Sequence, residues 1–266
     1  MEILLEIMVF VLGLCVGSFI NMAVYRTARR YGIINYQLRI TNENRSYCDY
    51  CGRQLKWFDN IPVFSWLVFG GKSRCCGKRL PLTYPIVEMT TAILFLLNFS
   101  ARDGSAYGGQ FSIFNFQSIF NYLILGLLVF EAAFDFKYMM LPDSTAWTLI
   151  VLAAIKWAMS GFSINFLVSA IVSAVFIFIL HKIKIKGEEA MGDGDIFLAG
   201  FMGLFLGFPK IVVAFYIAFI VGAIIGGSLI LLKKVKKNTP IPFGPFLILG
   251  VVVAMWWGEA IIELIL

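Results

Sequence analysis

Charge is scarce in this chain. Asp, Glu, Lys and Arg make up 14% of its 266 residues, where soluble domains carry about 25%. Sixty per cent of the residues are hydrophobic, 16% are aromatic, and the mean hydropathy is +0.85. This composition excludes disorder and a soluble nucleotide-binding enzyme, and implies a chain that crosses a membrane several times. Five cysteines do not make a secreted disulfide scaffold. The single histidine, His181, leaves no second imidazole for a metalloprotease, and no Ser-Lys pair shares a depth with it. His181 lies beside three lysines at a helix end, where interaction with the helix dipole is expected. There is no Gly-rich dinucleotide fingerprint either.

What the sequence has is long apolar runs. At about 20 residues per crossing, spans are expected at 6–25, 84–99, 116–134, 144–159, 163–181, 196–208, 211–232 and 243–264. The sixth is short, and Gly200, Gly203 and Gly207 give it a smooth face for tilted or partly buried packing. Glu2 and Glu6 precede the first span where a basic leader would stand, so this span reads as a retained anchor. Cys15, inside it, is expected to be buried as a small apolar residue. Net charge is +6, and its distribution reports orientation, since basic loops stay in the cytoplasm. The loops on one side, holding 26–83, Lys137, 182–186 and 233–237, carry nineteen of the 22 Lys and Arg residues. Only Arg102, Lys156 and Lys210 fall on the other side. Both termini are therefore expected outside the cytoplasm, with no role for nucleic acid.

Four cysteines sit in the polar stretch between the first two spans. Cytoplasmic thiols stay reduced, so a metal site is favoured over disulfides. Cys48-Asp49-Tyr50-Cys51-Gly52 has the form of a zinc knuckle, two thiolates at i and i+3 followed by a glycine that admits the tight backbone. The second pair is irregular: Ser73-Arg74-Cys75-Cys76-Gly77 has adjacent cysteines, and Ser73 where a regular knuckle would place its first sulfur. Cys48, Cys51 and Cys76 are the expected ligands, with Cys75 able to join only if the backbone turns sharply, as Gly77 permits; the alternative is four reduced thiols with no ion.

Charged residues at the edge of a span need a reason. Asp135 ends the third span and Asp195 begins the sixth, so the topology places two carboxylates at one depth on the cytoplasmic face. Two acids sharing a proton can serve as general base and general acid toward a water attacking a peptide carbonyl. Gly192 and Gly194 beside Asp195 are expected to supply positive φ and room for a substrate strand. Asp143 and Asp193 read more simply as helix caps or solvated acids. Glu131, one turn before Asp135, either tunes it or bonds a neighbouring helix, and Asp135 itself has the alternative of pairing with Lys137 or being solvated.

At these residues the chain resembles the type IV prepilin peptidases, and the likeness spans nearly its whole length. It is carried by Gly17-Ser18-Phe19-Ile20-Asn21 with Tyr25-Arg26, the cysteine pairs, Asp59-Asn60-Ile61-Pro62-Val63, Ser65-Trp66-Leu67 and Tyr84-Pro85-Ile86-Val87-Glu88. It continues through Asp135 with Leu141-Pro142-Asp143, the Gly-x-Gly-Asp of Gly192 to Asp195, and Pro242-Phe243-Gly244-Pro245-Phe246. Ser73 stands where the family usually has cysteine. The resemblance implies an inner-membrane enzyme that uses Asp135 and Asp195 to cleave the short basic leader of prepilins or pseudopilins on the cytoplasmic face. It also implies that the new N-terminus is methylated with S-adenosylmethionine, in the region from Arg26 to Glu88 with Glu88 as a contributor.

The expected fold is thus an all-α polytopic membrane protein of about eight transmembrane helices with a small zinc-binding cytoplasmic domain. Residues 1–25 form the first helix, 26–83 the Cys-rich domain linked to methyl transfer, and 84–266 the membrane-embedded peptidase. Two rival readings use the same residues: a transporter relaying protons or ions through the aspartates, or a zinc-containing assembly factor without catalysis. Nothing in the residues sets the oligomeric state.

Overall fold

The computed structural model describes residues 2–34, 46–48, 50–100, 116–185, 188–189, 191–233 and 241–265. Arg39, Arg45, Arg102, Lys186 and the run 234–237, used above for loop charge, lie outside these residues, as does Asp49 of the knuckle. Each of the eight apolar stretches is a helix. They are α1 (Glu2–Arg30), α3 (Thr83–Ser100), α4 (Phe116–Tyr138), α5 (Asp143–Met159), α6 (Ile164–Lys182), α7 (Asp193–Leu206), α8 (Lys210–Leu231) and α9 (Gly244–Ile265), with a five-residue helix, α2 (Phe64–Val68), between the first two. Five of them, α1, α4, α6, α8 and α9, are long and apolar enough to cross a membrane, so the chain is a multi-pass membrane protein. Two-residue strands β1 (Lys184–Ile185) and β2 (Glu188–Glu189) pair antiparallel ahead of α7. The chain forms two compact units, Met1–Ala133 and Phe134–Leu266.

In the first unit α1 and α3 run antiparallel along a seam of small residues. A Cβ at Gly13 would stand 2.5 Å from Ala92 Cα, and one at Gly17 2.5 Å from Glu88 Cα. Four residues further on, Asn21 Nδ2 donates to the Tyr84 carbonyl at 3.0 Å. The period of four keeps one face of α1 against α3, where lipid offers no hydrophobic drive and backbone approach does the packing. Cys15 is on the opposite face and exposed. The expectation that it is buried fails because the seam falls on 13, 17 and 21, leaving position 15 turned outward. α1 also continues past Tyr25 to Arg30, with Arg29 and Arg30 in its last turn, where cations suit the helix dipole.

In the second unit α7 is the central element, packed on α5, α6 and α9. Its 14 residues reach only about 21 Å, and it is buried along most of its length, through Leu198, Ala199, Phe201, Met202, Phe205 and Leu206. Ser173 Oγ on α6 donates to the Ala199 carbonyl at 2.7 Å. Asn165 holds the turn after α7 from both sides, donating to the Phe208 carbonyl and accepting from its N–H, each at 2.9 Å. α5 starts at Pro142 with Asp143 as a first-turn acid, and Trp157 Nε1 ties its end to the Ser163 carbonyl at 2.8 Å.

Candidate active site

Asp135 lies in the last turn of α4 and Asp195 in the first turn of α7. Both are buried, at 5% and 6% exposure, and they are close enough to interact electrostatically. Each carboxylate accepts one backbone N–H. Asp195 Oδ2 takes that of Gly192 at 3.2 Å, closing the first turn of α7. Asp135 Oδ2 takes that of Gly244, the first residue of α9, at 3.0 Å and 109 residues away in sequence.

Leu141 is the wedge that organises them. α4 stops just after Asp135 because Met139 adopts φ +54, its N–H returning to the Asp135 carbonyl at 2.8 Å. The chain then turns so that Leu141 fills the space beside two glycines. A Cβ on Gly194 would lie 2.7 Å from Leu141 Cβ, and one on Gly244 3.4 Å from Leu141 Cδ2 and 2.7 Å from Asp135 Oδ2. These glycines are required for close approach. The expectation of positive φ at Gly192 and Gly194 is corrected: Gly192 has φ −74 and Gly194 is helical, because a regular helix start already brings Asp195 back onto the Gly192 N–H.

His181 does more than face a dipole. It is 4% exposed, its Nδ1 is 2.8 Å from the Met191 carbonyl, and its Nε2 is 3.4 Å from Asp193 Oδ1. It thereby pins the loop that leads into Asp195. Asp193 itself is 83% exposed. Glu131 is buried. Sequence reasoning named the segments around Leu141 and Gly244 but missed their roles, and the one usable signal was a solitary histidine ten residues before an acidic glycine-rich loop.

In the first unit the four sulfurs of Cys48, Cys51, Cys75 and Cys76 all lie within 4.8 Å of one another. The edge of a tetrahedral zinc-thiolate site is about 3.8 Å, and Cys48 and Cys76 are separated by 3.8 Å. Two short hairpins present them, with bridges at Tyr47 and Gln54 and at Lys72 and Arg79, each closed by a glycine at φ +68, Gly52 and Gly77. Superposing the hairpins in register pairs Cys48 with Ser73 and Cys51 with Cys76, leaving Cys75 as the added sulfur. Ser73 Oγ remains in the cluster, 3.2 Å from Cys48 Sγ and 3.1 Å from Cys75 Sγ. Burial raises the Cys48 thiol, but hydrogen bonds from Ser73 and the Tyr50 and Cys51 backbone outweigh it and bring the group down to about 7. Burial and the neighbouring sulfurs push Cys75 up to about 12. Four crowded sulfurs of this kind fit a bound cation, which alone would let all of them ionise together.

Beside the cluster lies a cavity of about 190 Å³, lined by Ser18, Asn21 and Tyr25 from α1, by Trp66 from α2, and by Glu88 from α3, with Cys48 and Ser73 in its wall. Glu88 is 7% exposed and accepts from the Val63 N–H at 2.7 Å and from Ser18 and Asn21. Trp66 Nε1 is buried without a hydrogen-bond partner. Asp59 and Arg74 form a two-bond ion pair at 2.7 and 3.0 Å at the rim, and the Arg74 guanidinium holds the Asp59 carboxyl below its usual range.

Apolar spans, a buried acid pair and a thiol cluster place the chain in the class of multi-pass membrane enzymes, and comparison with known proteins makes it a peptidase with methyltransferase activity. Residues 11–101 match the Bacterial Peptidase A24 N-terminal domain, and residues 122–227 match the Type IV leader peptidase family. Proteins named prepilin leader peptidase/N-methyltransferase are similar over nearly all of the chain. That of Xanthomonas campestris pv. campestris is 30% identical over 281 residues, covering 95% of this chain and 91% of the relative. That of Pseudomonas aeruginosa is 30% identical over 275 residues, covering 94% and 89%, and that of Bacillus subtilis is 29% identical over 264, covering 96% and 95%. No solved structure gives a significant match. The chain belongs to the type IV leader peptidase family.

Proposed function

We propose that this chain cleaves the short basic leader of prepilins and pseudopilins at the cytoplasmic face of the inner membrane, and then methylates the new N-terminal amine with S-adenosylmethionine. The observation that carries the cleavage reading is the pair of buried carboxylates within electrostatic reach, each held by one backbone N–H. Two such acids share one proton. The ionised carboxylate takes a proton from water as the water oxygen bonds to the scissile carbonyl carbon, while its protonated partner gives a proton to the carbonyl oxygen. When the C–N bond breaks, the departing amine takes up a proton and the carbonyl re-forms, returning the pair to its one-proton state. Burial keeps bulk water from competing for that proton. The rival relay reading needs a polar path for ions, whereas each carboxylate here is engaged by a backbone donor.

In this reading the region from Arg26 to Glu88 carries methyl transfer and the helices that follow carry the peptidase. Cys48, Cys51, Cys75 and Cys76 would hold zinc, which supplies a structural cross-link between the two hairpins. The cavity beside them is the space assigned to the methyl donor. Its buried Glu88 carboxylate suits a cationic sulfonium, and the Trp66 N–H is a donor awaiting an acceptor. When bound, the donor would supply its methyl group to the substrate nitrogen and leave as the neutral thioether, once the amine has lost its proton. Lining residues do the positioning.

The test is purified chain in lipid with a prepilin substrate. Asp135→Asn or Asp195→Asn alone should abolish cleavage while methylation of a pre-cleaved substrate persists. Full cleavage by the Asp195→Asn protein rules the mechanism out, and ion flux without any processed peptide would favour the relay.

A further inference from the structure

α2 lies on the first unit with two distinct faces. Ser65, Trp66 and the following Phe69 line the cavity. Phe64, Leu67 and Val68, at i, i+3 and i+4, share the other face and are 59%, 63% and 58% exposed. Trp57, just before, is 80% exposed. A stripe of this kind on a water-facing domain would expose apolar surface with nothing to offset it.

Its depth is set by two contacts that meet at Glu88. The Val63 N–H, at the start of α2, is bonded to the Glu88 carboxylate on the second turn of α3, and Glu88 is level with Gly17 on α1, whose Cβ position nearly touches Glu88 Cα. The first basic residue of α1 is Arg26. Ser18, the residue after Gly17, also bonds Glu88, and from Ser18 to Arg26 is eight residues, about 12 Å along the helix. The start of α2 is therefore about 12 Å to the apolar side of the point where α1 first carries charge. The exposed apolar edge of α3, Ile86, Met89 and Ile93, with Leu82 just before the helix, runs past the same level at helical spacing. The basic hairpin residues Lys72, Lys78 and Arg79 are exposed.

We infer that α2 is a re-entrant interfacial helix, with Phe64, Leu67 and Val68 inserted among the acyl chains of the bilayer while Ser65 and Trp66 roof the cavity. An apolar helix face of this kind settles about 5–10 Å below the headgroup boundary, in keeping with the depth fixed by Glu88. Trp57 suits the headgroup level, where an indole has both an apolar body and a polar N–H. One consequence is that the cavity sits at the height at which a membrane-anchored substrate leaves the bilayer.

The test places a nitroxide at position 67 through a ketone-bearing amino acid, leaving the four clustered cysteines untouched, in the full chain reconstituted in vesicles of phosphatidylethanolamine and phosphatidylglycerol. Collision rates are read with oxygen, which partitions into lipid, and with a water-soluble nickel chelate. The ratio of oxygen to nickel collisions should be several-fold higher at position 67 than at Lys78 of the same domain. A label at position 64 should give the same result, and serves if the first lowers the thermal midpoint. Nickel access at 67 equal to that at 78 overturns the inference. So does shielding from both reagents, which would mean that protein rather than lipid covers the stripe.

Discussion

Gly244→Ala is the perturbation that probes Asp135 without altering any titratable group. The added methyl would stand 2.7 Å from Asp135 Oδ2 and 3.4 Å from Leu141 Cδ2. The first is well inside carbon-oxygen contact, so the carboxylate must swing away and its bond to the Gly244 N–H, now 3.0 Å, lengthens or breaks. A hydrogen bond to a charged group contributes about 1.5–3 kcal/mol, and each 1.36 kcal/mol is tenfold in rate. Cleavage should fall roughly tenfold to a hundredfold, chiefly in kcat, since misplacing a catalytic group affects the reacting geometry more than ground-state binding. Gly244 is the first residue of α9, so thermal unfolding of the variant separates loss of the fold from misplacement of the carboxylate. Gly227→Ala on α8, where an added Cβ meets nothing within 4 Å, is the matched control and should cleave normally. The assay is initial-rate proteolysis of a prepilin in detergent or nanodiscs, with thermal unfolding in parallel. A Gly244→Ala enzyme that cleaves at the wild-type rate refutes the placement of Asp135.

Further outcomes follow from the same geometry. His181→Ala should lower cleavage severalfold by releasing the Met191 carbonyl, and His181→Asn, whose amide can replace Nδ1, should recover part of it; equal loss in both would mean that the ring acts otherwise. Cys75→Ser should release metal as readily as Cys48→Ser, and adding Ser73→Cys to it should restore metal content by completing the regular knuckle, as read by metal analysis of purified protein. The depressed Asp59 carboxyl contributes stability that is present above the usual carboxylate range and is lost as pH falls through its lowered value. The gap in thermal midpoint between wild type and Asp59→Asn should therefore close on acidification, and a gap independent of pH would mean that the ion pair with Arg74 is not its source. Asp143→Asn and Asp193→Asn should keep most cleavage activity, because both side chains are exposed in a first helical turn, after the caps Pro142 and Gly192; abolition by either would require a larger catalytic set.

The helices were legible because each is a continuous apolar run, five of them long enough to cross a membrane, a signal that needs no partner to read. Even the anomaly was visible, since the shortness of the sixth span foretold a helix buried among others. Cys15 shows the limit. Run length says that a residue is in a span but not which way it faces, and that depends on the seam of Gly13, Gly17 and Asn21, which becomes a face only once α3 is set against it. At the candidate site the two acids stood out because charge at a span edge demands a reason. Leu141, Gly244 and His181 did not, because their work is steric or through the backbone and is shared with residues far off in the chain. In the hairpins, spacing made Cys75 look marginal, whereas the turn at Gly77 brings both adjacent sulfurs to the same side.

The bond from Gly244 to Asp135 also bears on how the protein is made. Asp135 enters the membrane with α4, yet its backbone donor is 109 residues downstream and comes from the ribosome only after α5 through α8 have been synthesised. Until then the carboxylate lacks that bond. A partly synthesised chain, or one truncated before α9, therefore carries both aspartates but lacks the contact that aims one of them. The geometry around Asp135 is complete only once α9 is in place.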